Sequence, residues 1–323
     1  MKVLFYSIGL LVFTCGVSAQ NESTVNQNGT NDAVVYQLGN ENDSDVNQNG
    51  LGNFGGVIQL GASNVLTLDQ IGDGNDGGMA QIGNNNSATL SQLEDANSNN
   101  SVQLGNRNFS IAEQTGDGNI GILLQLGNRH DSESYQFGNL NSSTVFQIGV
   151  FNESNGNQEG DLNRLNTTQN GLRNFSEVNQ EGDGNQSDVA QNGTNNVSTV
   201  WQGYIGNNNR SMVSQFGMQN YNYSFQKGNE NISDSSQDGF DNYSWVGQWG
   251  NRNDSFVNQS GNNNASDVFQ GRTNGDDHVS LVTQTGNSNT SYVYQNLYGN
   301  YSRVEQIGNN NTARVRQNYT GGQ

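Results

Sequence analysis

The 323 residues include no proline, one cysteine (Cys15), two histidines (His130 and His278) and two lysines (Lys2 and Lys227). Each scarcity excludes something. A chain without proline can give nearly every backbone N–H to a hydrogen-bonded ladder. A single cysteine cannot build a disulfide framework. Two histidines and one cysteine leave little for nucleophilic or metal chemistry. The formal charge of −18 rests on only 12 basic residues against 30 acidic ones. No basic patch is left to hold nucleic acid or an anionic membrane surface. Apolar residues make up 31%, which is low for a conventional core. By composition alone, the abundance of Asn, Gln, Gly and Ser reads as disorder or a prion-like segment.

One apolar run exists, and it stands at the start. Met1-Lys2 precedes a run from Val3 to Val12, and small residues follow to Val17-Ser18-Ala19. A charged start, a short apolar stretch and a small-x-small site predict a secretory signal peptide over 1–19. The run is short for a bilayer span, so no lipid bilayer insertion is expected. Cys15 leaves with the signal. The expected mature chain, 20–323, has no thiol and is a single repeat domain beginning within a few residues of the cleavage site.

The order of residues overturns the reading from composition. Glutamine recurs every eleven residues through Gln37, Gln48, Gln59, Gln70, Gln81, Gln92, Gln103, Gln114, Gln125, Gln136, Gln147, Gln158, Gln169, Gln180, Gln191 and Gln202. After a two-residue insertion it resumes at Gln215, Gln226, Gln237, Gln248, Gln259 and Gln270. After a three-residue insertion it continues at Gln284, Gln295, Gln306 and Gln317, and Gln27 precedes the series one residue short of register. A strict period of this kind marks a repeat architecture. Glycine sits two residues after the glutamine (Gly39, Gly83, Gly308) and asparagine five after it (Asn42, Asn86, Asn311). Small residues such as Ser44 and Ala88 lie four before the next glutamine, and Val46, Leu68 or Leu90 two before.

Positions two apart share one face of a strand. Each unit therefore reads as a strand of about six residues followed by a turn, with Gly and Asn supplying left-handed backbone there. One unit cannot bury a face alone, but two folded against each other make a rung that stacks. Asp73, Asp95, Asp117, Asp161 and Asp183 are separated by multiples of 22, which sets the rung at two units. The expected fold is an all-β solenoid of 22-residue rungs, two facing parallel sheets with amyloid-like stacking, roughly 60 Å long at the inter-strand spacing. Stacked glutamines would pass amide hydrogen bonds along the core, which is expected to satisfy it. The strand edges at either end would then be templates for another subunit.

Gln81-Ile-Gly83-Asn-Asn-Asn86-Ser-Ala88-Thr-Leu-Ser-Gln92 and Gln306-Ile-Gly308-Asn-Asn-Asn311-Thr-Ala313-Arg-Val-Arg-Gln317 resemble the repeat of the curlin family, whose members form curli. The resemblance implies a homopolymeric extracellular fibre on a bacterial surface, exported through the periplasm and an outer-membrane secretion pore. It also implies growth from a nucleator subunit, and roles in biofilm matrix and cell adhesion. No cofactor, metal or catalytic group is expected. The alternative is a monomeric secreted solenoid adhesin, or a nucleator.

Three further features carry weaker expectations. The aspartate column would bring carboxylates close enough to repel by nearly 1 kcal/mol per pair in water. It is read either as a control by pH or divalent cations or as a solvated turn that keeps monomers soluble. His130 occupies a slot usually held by Asn and reads as a turn substituent. Tyr221, Tyr223, Trp245, Trp249 and Phe256 read as cross-strand packing or as one adhesive face.

Overall fold

The computed structural model describes residues 20–203, 206–271 and 275–318. The expected signal peptide, 1–19, lies outside the described residues. Every regular element among those described is a β-strand, 25 in all, and every pairing is parallel. From Val65–Ile71 onward each strand bonds the strand two places along the chain, so Gln70 pairs with Gln92 and Gln81 with Gln103. Two stacks result, facing each other. Val65–Ile71, Ser87–Leu93 and Phe109–Thr115 succeed one another in one, and Asp76–Asn84, Ser98–Asn106 and Ile120–Asn128 in the other. The fold is a β-solenoid of about 13 turns.

Burial follows the period of two. In Ser87–Leu93 the inward residues Ala88, Leu90 and Gln92 are buried, while Ser87, Thr89 and Ser91 face outward. The inward column two before each glutamine carries the apolar core: Val46, Val57, Leu68, Met79 and Leu90 pack together near the start, and Val246, Val257, Val268, Val282 and Val293 near the end.

Strand lengths alternate between seven and nine residues over most of the rod, rather than the six expected. Glu22–Asn40 and Asp43–Ala62 each run on through a turn, because rung-to-rung bonding does not stop there. The N–H of Ser63 donates to the Asn40 carbonyl of the previous rung, and Asn85 repeats this to Ala62. Where extra residues enter the chain, the ladder partner moves to 24 or 25 residues away, as in Gln202 to Gln226 and Gln270 to Gln295, and the register on either side is kept.

Each turn holds two left-handed positions. The first is the glycine after the glutamine pair position: Gly39 has φ +123°, and a Cβ there would fall on the Gly61 carbonyl oxygen of the next rung. The second lies four after the glutamine and is mostly not glycine. Leu140, Phe151, Leu162 and Arg173 all sit there at φ between 53° and 60°. The expectation that Asn42, Asn86 and Asn311 supply this conformation is therefore corrected. Their φ is not positive, and each follows the left-handed residue, with its side chain turned inward.

Candidate functional site

Two columns of side-chain amides run the length of the rod. In the first, each glutamine Nε2 donates to the Oε1 of the glutamine one rung on: Gln48 to Gln70 at 2.8 Å, Gln103 to Gln125 at 2.9 Å, Gln284 to Gln306 at 2.8 Å. The series is continuous from Gln27 and Gln37 to Gln317 and Gln306. Its second N–H does something the spacing did not reveal. Gln59 Nε2 also donates to the Asp43 carbonyl and Gln81 Nε2 to the Val65 carbonyl, both on the facing sheet. The glutamine thus staples sheet to sheet as well as rung to rung. A buried amide costs several kcal/mol unless bonded, and here both protons and the oxygen are used.

The second column is the asparagine five after each glutamine. Asn64 Oδ1 accepts the Asn86 backbone N–H at 3.1 Å, and Asn86 Nδ2 donates to Asn64 Oδ1 at 3.0 Å and to the Gly105 carbonyl at 2.9 Å. Asn42 and Asn311 make the equivalent bonds to Asn21 and Asn289. Backbone partners settle which amide atom is nitrogen in both columns, so each ladder has a direction. Gln donors point toward the C-terminal end and Asn acceptors point the same way.

The two histidines replace asparagine in this column. His130 Nδ1 accepts the Asn152 N–H at 3.4 Å, and its Nε2 lies 3.2 Å from the Leu126 carbonyl. His278 Nδ1 accepts the Asn300 N–H at 3.2 Å. At His130 the neutral Nε2–H tautomer copies the acceptor and donor of the asparagine it replaces, and at His278 Nδ1 reproduces the acceptor. Burial lowers the pKa of both rings, which keeps them in that form.

The aspartate column sits at the exposed turn. Asp73 Oδ1 accepts the Leu51 N–H at 2.7 Å, Asp95 takes that of Asp73, and Asp117 that of Asp95. Asn139 continues the series between Asp117 and Asp161, and Asp161 bonds on to Asp183. The slot therefore needs an acceptor oxygen, which Asp or Asn supplies. The simple picture of repelling carboxylates omits this charge-assisted bond, of a kind stronger than neutral ones. No group of three or more His, Cys, Asp or Glu among the described residues could hold a metal ion.

The expectation that register satisfies the whole core holds for the glutamine column and the asparagine column five after it, and fails for the amides of Asn99, Asn157 and Asn222 and for many hydroxyls. Ser154, Ser176, Ser187, Ser198, Ser233, Ser244 and Ser255 are buried with Oγ unpartnered. A short side chain cannot span the distance between rungs as glutamine does, although Ser302 reaches Ser280 at 3.3 Å.

The aromatic residues divide between faces. Tyr221 stacks on Tyr243 at 5.4 Å, Tyr223 meets Trp245 edge-on at 5.8 Å, and Trp245 and Trp249 close over Phe269. Phe256 is elsewhere: its strand pairs with 232–240 and 279–287, in the opposite sheet.

The family model of the curlin-associated repeat matches residues 61–93 and 187–217. These segments of the chain carry the curlin-associated repeat. Each matched segment holds three consecutive ladder glutamines, Gln70, Gln81 and Gln92 in the first and Gln191, Gln202 and Gln215 in the second. The second match spans the first insertion, so the repeat persists across it. No curated protein matches the chain.

Proposed function

We propose that this chain is the structural subunit of an extracellular, curli-like fibre that grows by end-to-end stacking of solenoids. The observation that carries this reading is the polarity of the end rungs. At the first described rung, Gln27 and Gln37 each have an Oε1 with no donor among the described residues. At the last, Gln306 and Gln317 Nε2 donate to the Thr290 and Tyr301 carbonyls and to no further glutamine. In the glutamine columns donors face out at one end and acceptors at the other, and in the asparagine columns the order is reversed. Head-to-tail contact sets donors against acceptors, whereas head-to-head contact sets like groups together. Such a contact is heterologous and does not close, which is the requirement for a filament.

The described half-rungs number twenty-seven by their glutamines, an odd count. A head-to-tail joint therefore lays Thr312–Asn318 beside Glu22–Thr30 in one sheet and leaves a one-strand step in the other. The joint is the weakest plane of the filament, and breakage there supplies fresh ends. On this reading residues 1–19 direct export, the ladder glutamines carry assembly, and an outer-membrane pore and a nucleator subunit are the partners in building biofilm matrix and attaching cells. The role needs no catalytic group.

The test is assembly itself. Residues 20–323, diluted from denaturant, should form unbranched, thioflavin-positive filaments after a lag that preformed seeds shorten. A stable dye-negative monomer with a β-sheet circular dichroism signal would reject end-to-end growth and favour a solitary adhesin.

A further inference from the structure

The outer faces of the two sheets differ over the first half of the rod. On the sheet that carries Gln37, Gln59 and Gln81, the residues flanking each glutamine point outward. Over six successive rungs both flanking columns are apolar: Tyr36 and Leu38, Ile58 and Leu60, Ala80 and Ile82, Val102 and Leu104, Leu124 and Leu126, Phe146 and Ile148. Leu38 is 58% exposed, and Ile82 and Ile148 remain above 40%. The columns then turn polar at Asn170 and Asn192. The opposite face over the same rungs carries Asp45, Asp69, Glu113 and Glu133.

We propose that this aliphatic face is a lateral docking surface for a second copy of the chain, pairing two filaments face to face. The proposal rests on the fibre reading above. Six rungs at the inter-strand spacing, two to three outward columns wide, give a patch of roughly 400–500 Å². Two such patches bury about 800–1,000 Å², at or below the minimum for a stable complex of free chains. Repeated once per subunit along a filament, the same contact becomes multivalent. Pairing therefore follows growth and does not precede it. Identical side chains recurring at strand spacing let two copies of this face interdigitate as a dry zipper. The acidic opposite face then turns outward, and its charge opposes addition of a third filament over these rungs. The same net charge disfavours an anionic lipid surface as the occupant.

The test compares filaments of residues 20–323 with those of the triple variant Leu60→Lys, Leu104→Lys and Leu126→Lys. These three side chains point away from the core, so growth from seeds should be unaffected. Mass per length by scanning transmission electron microscopy should correspond to two chains per subunit repeat in the parent and one in the variant. A control, Asn170→Lys with Asn192→Lys, adds charge to the same column without removing apolar surface and should leave pairs intact. Single parent filaments, or pairs that survive the triple substitution, would overturn lateral docking while leaving the fibre reading standing. Absence of any filament would remove both. Binding of parent filaments to neutral phosphatidylcholine vesicles, lost in the triple variant while pairing persists, would reassign the face to lipid and overturn the proposal.

Discussion

Between Val213 and Val246 the valine column is interrupted by Ser224 and Ser235, whereas the glutamine column beside it runs on. Gln202 bonds Gln226 and Gln215 bonds Gln237, each at 2.9 Å. In the apolar stretch around Leu66, Leu68, Met79 and Leu90, Gln59 to Gln81 is also 2.9 Å and Gln70 to Gln92 is 2.8 Å. The amide ladder is thus indifferent to what fills the slot next to it. Near Ser224 and Ser235 the core is nearly all polar: Asn222 is buried with both amide atoms unpartnered, and Ser235 Oγ has no partner. Register is therefore held by backbone and amide ladders, and apolar burial adds stability without specifying the fold.

The sharpest way to break that contrast is to cut the ladder inside the polar seam. Gln237→Ala removes the acceptor of Gln215 and the donors to Gln259 and to the Tyr221 carbonyl. With the cavity and the orphaned groups together, a loss of about 4 kcal/mol is expected. Val246→Ala, one strand away and fully buried, should cost only about 2 kcal/mol. Urea midpoints of the two variants would decide, and equal losses would mean that the apolar column carries as much as the ladder.

The second prediction reverses the seam's defect. Ser235→Val removes an unpartnered buried hydroxyl and restores the column between Val213 and Val257, so a gain of about 1–2 kcal/mol is expected. Slower hydrogen exchange in Ile232–Phe240 would accompany it. No gain would mean that Ser235 has a bonding partner in solution.

Much of this was legible in the sequence because it rests on period. Gln37 to Gln317 fixes strand phase, rung length and the inward face, and the repeat of 22 in Asp73 to Asp183 pairs the units correctly. What could not be read is conformation carried by a slot of varying residue type. Leu140, Phe151, Arg107 and Glu230 share one left-handed position, and no propensity links them. The signal available was the occasional glycine in that column, Gly52, Gly74, Gly118 and Gly184. The asparagine ladder was hidden for the opposite reason. Asn suits a turn so well that its turn preference concealed its bonding role. The division of aromatics also escaped, because Phe256 follows Trp245 in sequence while successive strands alternate between sheets.

A third prediction concerns adjacent residues that feel acid in opposite senses. Asp131 stands in register between Phe109 and Glu153, with Oδ1 unpartnered. Burial, then Glu153 and Glu133, push its carboxyl up to about 6 from 3.8. A raised folded value means that its contribution is fully present below 3.8 and lost as pH rises through about 6. Asp131→Asn should therefore stabilise the chain at pH 7 by about 1 kcal/mol after allowance for solvent screening. That gain should vanish near pH 4, which a urea series across that range would check.

The smallest effect belongs to the residue before it. His130 is buried in an asparagine slot, and burial holds its pKa below 6.5 despite the carbonyls around it. Protonation would place a second N–H on Nδ1 against the Asn152 N–H that it now accepts. A lowered folded value gives stability that is present above 6.5 and lost as pH falls through the folded value, the reverse of Asp131. His130→Asn restores the ladder amide, whose Oδ1 accepts that N–H at any pH. The variant should match the parent at pH 7.5 and exceed it below pH 6, with the difference growing as the ring titrates. Because Asp131 and His130 titrate against each other, the parent's own profile is flattened there, and only the single variants expose the two slopes. If His130→Asn shifts stability equally at pH 7.5 and pH 5, the imidazole serves the ladder by shape alone and its proton plays no part.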